Sequence, residues 1–239
     1  WLPLGQYDFL IDHWMKVGTY AIPFLLMGAF SLSLGGSSKD LLADYRFIGI
    51  IMLIAYIIHQ YEEHWIDLFG NYYAFYDFNN AFILGNLGAP DNATKPLTRE
   101  AIFVINTTLV WLVGALAIWR SPRHLFPLIA MASIIVVNGV VHILAGVATF
   151  QYNPGILTSG LIFSPLYAWF VRLLMNQSNP YKKQIIAGLA WAFLAHVIMV
   201  AGLLMANWFG VIPELAYFVV LGIWSILPVV LFRRQGAKD

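Results

Sequence analysis

The chain has 239 residues, 60% hydrophobic and only 10% charged, with a formal net charge of +1 and a mean hydropathy of +0.74. A soluble domain carries about 25% charged residues, so thirteen basic and twelve acidic groups are too few to coat a soluble globule of this length. The near-zero net charge leaves no basic patch and argues against nucleic acid as a partner, and the lack of cysteine excludes disulfides, a thiolate nucleophile and iron–sulfur or zinc–thiolate centres.

Apolar runs recur at the roughly 20 residues that a helix needs to cross a bilayer core. In chain order they are Met15–Leu34, Phe47–Trp65, Ala101–Trp119, Leu125–Phe150, Ile156–Met175, Ile185–Trp208 and Val211–Phe232. The sequence therefore predicts a single, all-α domain over residues 1–239, a polytopic membrane bundle of about seven helices. The first run contains Pro23, which a membrane helix tolerates. The chain starts at Trp1 rather than Met, from which a truncated or processed N-terminus is expected.

Lys and Arg set the predicted orientation. With the N-terminus outside, the inner segments hold ten of them: Lys39, Arg46, Arg120, Arg123, Arg172, Lys182, Lys183, Arg233, Arg234 and Lys238. Lys16, Lys95 and Arg99 remain outside, so the expected topology is N-out and C-in.

One connection is long, from about Ile66 to Arg99. Its first part is aromatic (Phe69, Tyr72, Tyr73, Phe75, Tyr76, Phe78), which suits a membrane interface, and its second part, around Pro90 and Pro96, is rich in turn residues. It reads as an outer re-entrant or surface-lying cap, with a lid as one alternative. Asn92-Ala93-Thr94 within it matches the N-glycosylation triplet, a weak signal with no meaning in a bacterium.

Charged side chains inside a span are costly and mark function by default. The second span ends His59-Gln60-Tyr61-Glu62-Glu63-His64-Trp65-Ile66-Asp67. At about 100° per residue, His59, Glu62, Glu63 and Asp67 share one face, and His64 points further round. The fourth span places Asn138 one turn before His142, with Gly139 and Gly146 open to close helix approach. In the predicted topology His59, His142 and the turn Tyr152–Gly155 fall in the outer half of the membrane. Asn106, Thr107 and Thr108 enter from the same side, and His196 lies near mid-depth.

His59-x-x-Glu62-Glu63, Asn138-x-x-x-His142 and Tyr152-x-Pro154-Gly155 occur in order and resemble the three signature motifs of the HXXEE domain family, over roughly residues 50 to 160. Its members are bacterial membrane proteins without an established function that are held to be enzymes on the strength of these motifs. The resemblance implies a bacterial inner membrane location and a site formed by His59, Glu62, Glu63, Asn138 and His142. It names no substrate.

The residue types point first to a metal. Imidazole and carboxylate together suit zinc, with iron or manganese as the other ions. His59, Glu63 and His142 supply three ligands and leave a fourth position for water. Glu62 is then expected as the general base and Asn138 as an orienting or oxyanion-stabilising group, with Glu62, His64, Asp67 and His196 as additional candidate ligands. A dinuclear site bridged by Glu62 and Glu63 has too few carboxylates to match the usual bundle di-iron set. The competing readings are a metal-free His59–Glu63 pair, Asn138–His142 as interhelical glue, a bundle histidine at His196, interfacial roles for His13 and His124, and a purely structural Tyr152–Gly155 turn. Glu100 and Glu214 read as acids favoured at helix N-termini.

The function that follows is a metal-dependent membrane hydrolase or transferase acting on a lipid or other apolar molecule from the outer leaflet. The alternatives are an accessory subunit of a membrane complex and a proton or ion pathway in a transporter. Alternating access is disfavoured by the apolar inner halves of the spans, and a retinal protein is excluded by the lack of lysine in Val211–Phe232.

Overall fold

The computed structural model describes residues 4–35, 41–89, 94–178 and 180–231, with the side chains of 4–8 and 33–35 left out of account. Lys39, Pro90, Asp91, Asn92 and Ala93 of the glycosylation triplet's stretch, and the tail residues Arg233, Arg234 and Lys238 lie outside the described residues. Among the described residues eight longer helices follow in order, besides a short 3-10 turn at Leu41–Ala43: α1 (Leu4–Gly35), α2 (Tyr45–His64), α3 (Ala74–Asn86), α4 (Arg99–Arg120), α5 (Phe126–Thr149), α6 (Ile156–Met175), α7 (Lys182–Trp208) and α8 (Glu214–Leu231). Among the described residues there is no strand, only an isolated bridge between Ile66 and Tyr72.

Six of these helices, α1 and α4 to α8, are long and apolar enough to cross a membrane, so the chain is a polytopic membrane protein. The expected seventh, α2, has the length, but it closes on His59, Gln60, Glu62, Glu63 and His64, and this polar turn keeps it out of the set. Its place in the bundle explains why it carries such a turn. Fourteen of its twenty residues are buried, so α2 is wrapped by the other helices rather than facing lipid. Asp44 starts it, its side chain accepting from the Arg46 amide at 2.7 Å.

The apolar interior has two parts. One surrounds α2 and joins Ile48, Met52 and Ile57 to Leu128 and Ile135 of α5 and Phe163 and Phe170 of α6. The other joins Trp14 of α1, Ile102 of α4, Leu203 of α7 and Tyr217 of α8. Without a hydrophobic drive between lipid-bathed helices, close approach depends on small residues. Gly188 of α7 lies against Ile129 and Ser133 of α5, and Gly139 and Gly146 of α5 lie against Phe163 and Ile156 of α6, as the sequence led one to expect.

The α2 C-terminus, the α5 C-terminus and the N-termini of α4, α6 and α8 lie at one end of the bundle. The long connection covers that end. It contains α3, and just before that helix the Tyr73 hydroxyl donates to the Asp12 carbonyl at 2.8 Å, while Arg99 pairs with Asp12 at 3.0 Å and Lys95 with Asp77 at 3.0 Å. Arg46, Arg120, Arg123, Arg172, Lys182 and Lys183 sit at or near the helix ends on the opposite side. Acids at helix N-termini hold their expected places: Glu214 opens α8 and accepts from Thr98 Oγ1 at 3.1 Å.

A Cβ on Gly202 would stand 2.2 Å from the ring of buried Tyr217. Gly202→Ala is therefore expected to force α7 and α8 apart and to destabilise the bundle by about 1–3 kcal/mol, read as a lower thermal midpoint in detergent. An unchanged midpoint would contradict this packing.

Candidate functional site

The last two turns of α2 carry His59, Glu63 and His64 into the bundle beneath the cap. The Glu63 carboxylate is the hub. Its Oε1 lies 3.4 Å from His59 Nε2 and 2.9 Å from His142 Nε2, and its Oε2 lies 3.3 Å from His64 Nε2. Ligand atoms of His59, Glu63 and His142 all fall within 4.8 Å of one another, and all three residues are buried. Helical spacing brings His59 and Glu63 together one turn apart. His142 arrives from α5, which Gly139 and Gly146 let settle against α6.

A second layer of hydrogen bonds fixes the two imidazoles. Asn153 Nδ2 donates to the His142 carbonyl at 3.2 Å, which turns Asn153 Oδ1 toward His142 Nδ1, also at 3.2 Å. An amide oxygen only accepts, so Nδ1 of His142 carries a hydrogen, and its Nε2 is the nitrogen left facing the Glu63 carboxylate. His59 is set in a similar way. Thr158 Oγ1 donates to Glu62 Oε2 at 2.6 Å and is 2.7 Å from His59 Nδ1, so the ring nitrogen donates to the hydroxyl. His59 Nε2 is then an acceptor, and it faces Asn138 Nδ2 at 2.9 Å. Two imidazole nitrogens and a carboxylate oxygen converge, each ring held by its outer nitrogen, an arrangement also found in metal-ligating histidines.

Glu62 has a different place from the one its sequence position suggested. It accepts from Tyr152 Oη at 3.0 Å, from the amides of Leu157 and Thr158 at 3.3 and 3.1 Å, and from Thr158 Oγ1. These four donors fill a carboxylate's roughly four acceptor positions, and the amides are those at the N-terminus of α6, where an anion is favoured. Glu62 thus anchors α6 and orients His59 through Thr158, and it has no lone pair free to serve as a general base. Burial, together with the nearby Glu62 carboxylate, pushes the Tyr152 phenol above its ordinary value, so it remains a donor.

Gly155 explains the Tyr152-x-Pro154-Gly155 motif. Its φ is +96°, and a Cβ there would stand 2.7 Å from His59 Cε1 and 2.8 Å from His142 Cε1. Only glycine lets the turn pass this close to both rings. The turn is therefore structural in its own fold and part of the site by contact.

Two of the additional candidates are placed elsewhere. Asp67 accepts from the Phe69 and Asn71 amides at 2.9 and 2.8 Å and from Asn71 Nδ2 at 3.1 Å, so it closes the turn after α2. His196 spends Nδ1 on the Ala192 carbonyl of its own helix, at 2.8 Å, and is not among the converging ligands. His64, which helical projection turned away, is buried against the second oxygen of Glu63, because α2 ends there and its last turn is enclosed by the cap. The Phe75 ring of α3 covers His64 and His142 at centroid distances of 5.2 and 5.4 Å.

The sequence reading passed over Thr158, Asn153 and Gln60, and it placed Asn106 only near the site. Gln60 Nε2 donates to Asn106 Oδ1 at 2.8 Å and Trp111 Nε1 to Gln60 Oε1 at 2.7 Å. Asn106 Nδ2 lies 3.4 Å from His64 Nε2. Asn106 reaches inward from a π-helical stretch, Ile105–Leu112, a local widening that often accompanies functional sites. A second such stretch, Ser159–Phe163, lies directly after Thr158, and Phe163 packs against His59 at 4.6 Å between centroids.

The fold and the site together define a helical membrane protein with a buried histidine–carboxylate cluster closed by a cap. A family profile described as a protein of unknown function with HXXEE motif matches residues 50–170, and the chain belongs to this family. No curated protein and no solved structure matches the chain.

Gly155→Ala combines a left-handed backbone with contacts under 3 Å to both rings. It is expected to lose at least the roughly 1–3 kcal/mol of such backbone strain and to displace His59 and His142. Thermal unfolding in detergent checks the first effect, and imidazole nitrogen NMR shifts check the second. A wild-type midpoint with wild-type shifts would refute the contact.

Proposed function

We propose that this protein is a metal-dependent membrane enzyme, a hydrolase or transferase, whose ion is held by His59, Glu63 and His142. One observation carries the reading: His59, Glu63 and His142 bring ligand atoms within 4.8 Å of one another in the buried interior, with the outer nitrogen of each imidazole tied to Thr158 or Asn153. The donor set suits zinc first, and iron or manganese next. An ion there would lower the pKa of a bound water to about 7 and polarise an ester or similar group.

The chain's own residues supply the remainder. Glu62 and Thr158 hold His59, Asn153 holds His142, and His64 holds the second oxygen of Glu63. Asn138 yields the His59 lone pair to the ion and keeps its amide for an oxyanion or a bound water. His64 borders a cavity next to Glu63, and its Nδ1 has no partner among the described residues, so it replaces Glu62 as the base for the water's proton. That cavity, about 110 Å³, is otherwise walled largely by apolar side chains such as Ile83, Leu97 and Met199, which supports a lipid or other apolar substrate. We further propose that α2 is a seventh crossing and that the basic helix ends face the cytoplasm of a bacterium, so that the cluster works in the outer half of the inner membrane.

Purified protein is expected to carry about one equivalent of metal by elemental analysis. Glu63→Ala and His142→Ala should lose it. Thr158→Val should weaken metal affinity about 10–100-fold, the usual effect of removing an orienting partner, and Thr158→Ser should restore it. Folded wild-type protein that takes up no stoichiometric zinc, iron or manganese would overturn the reading.

A further inference from the structure

We infer that the bundle holds a binding tunnel for one unbranched alkyl chain, with the chain's polar head at Glu63, His64 and Asn138. This deepens the enzymatic reading, on which it rests for what is done to the head, by naming the class of molecule.

Three cavities carry the inference. Their volumes are about 110, 60 and 20 Å³, and neighbouring cavities share wall residues. They lie in a line, because the wall advances in register on each helix. On α4 it runs from Ile102 through Leu109 to Gly114, and on the antiparallel α7 from Leu203 through His196 back to Trp191. On α5 it runs from Asn138 to Pro127. The twelve steps from Ile102 to Gly114 span roughly 18 Å at about 1.5 Å per residue. That is close to the depth of one leaflet, about half of a 30 Å hydrocarbon core.

The line has a polar end and an apolar end. The cavity nearest the cluster is bordered by Glu63, His64, Asn79, Asn106 and Asn138. The farthest is bordered by Val113, Met131 and Val229, and its Ser225 hydroxyl is spent on the Leu221 carbonyl of its own helix at 2.8 Å. Tyr56 borders all three cavities.

Volume selects the occupant. A cavity of about 150 Å³ accepts a single benzene ring, and each of these three is smaller, about 110, 60 and 20 Å³ in order away from Glu63. A fused ring system or a two-tailed lipid would have to move the helices that line the cavities, α2, α4, α5, α7 and α8, to enter with its whole body. A single methylene chain needs only side chains to move, and the walls include flexible Met131 and Met199. The π-helical stretch Ile105–Leu112 lies along the line and contributes Ile105, Leu109 and Val110 to its wall.

The test uses the full chain in nanodiscs of dimyristoylphosphatidylcholine and dodecanoic acid carrying a diazirine at its far end. Irradiation and peptide mapping should give saturable adducts on Trp191 and on residues 127–135 of α5, removed by excess unlabelled dodecanoic acid. Ala195→Phe or, if that variant does not fold, Ser225→Leu should cut these adducts about tenfold or more, since both side chains border the middle cavity. Adducts confined to the exposed α7 residues Phe193, Leu194 and Val197, or competition by cholesterol as strong as by dodecanoic acid, would overturn the tunnel. Metal analysis of the same samples separates the two claims. Saturable labelling without metal refutes the metal centre alone, and metal without saturable labelling refutes the tunnel alone.

Discussion

Glu63 places a carboxylate in the interior of an apolar bundle, and the surrounding structure is organised around that charge. An acid at the centre of a membrane helix costs about 2.5–3.5 kcal/mol on insertion scales. Here the carboxylate meets three imidazoles, from His59, His142 and His64, within 3.4 Å. Each contact requires a helix to be in position. His142 requires α5 to lie close, which Gly139 and Gly146 allow, and His59 requires the Thr158 hydroxyl at the start of α6. The turn between α5 and α6 must pass both rings, which Gly155 allows. Removing one imidazole leaves a buried charge under-compensated, and for that reason these residues act as a unit rather than as separate contributions.

A second layer of hydrogen bonds fixes the orientation of the two imidazoles. Both outer ring nitrogens are committed as donors, one to Thr158 and one to Asn153. Glu62 stabilises this arrangement from the N-terminus of α6 and couples the fold of that helix to the orientation of His59. The cap then excludes water by laying Phe75 over two of the rings, and the interior it closes has low dielectric, where each charge interaction is stronger. The same closure leaves a line of cavities leading away from Glu63 between the helices.

Much of this was legible in the sequence, and the limits have physical reasons. Apolar runs of membrane length give the helices directly, and His59, Glu63 and His142 stand out because imidazole and carboxylate are rare in such runs. Asn138 and the Tyr152–Gly155 turn also carry a pattern. Helical projection handled residues on one helix and failed where tertiary packing decides. It turned His64 away, although the end of α2 is enclosed on that side as well. It left Glu62 as a free base, although the donors that saturate it come from another helix nearly a hundred residues on. Thr158 was invisible because a threonine in an apolar segment has no distinctive spacing. Asn106 was visible only by its depth, since the π-helical stretch that turns it inward has no residue signature. The count of crossings differs for a related reason: the polar turn that makes α2 the functional helix also lowers its hydropathy below that of its neighbours.

X-ray absorption at the zinc edge of the purified, folded protein tests the central claim, that His59, Glu63 and His142 hold one ion. The account predicts a first shell with two imidazole nitrogens at about 2.0–2.1 Å and a carboxylate oxygen at about 2.0–2.2 Å, with one imidazole lost in His142→Ala. A first shell without imidazole, or folded protein without bound metal in which His142 is an imidazolium paired with Glu63, would contradict it.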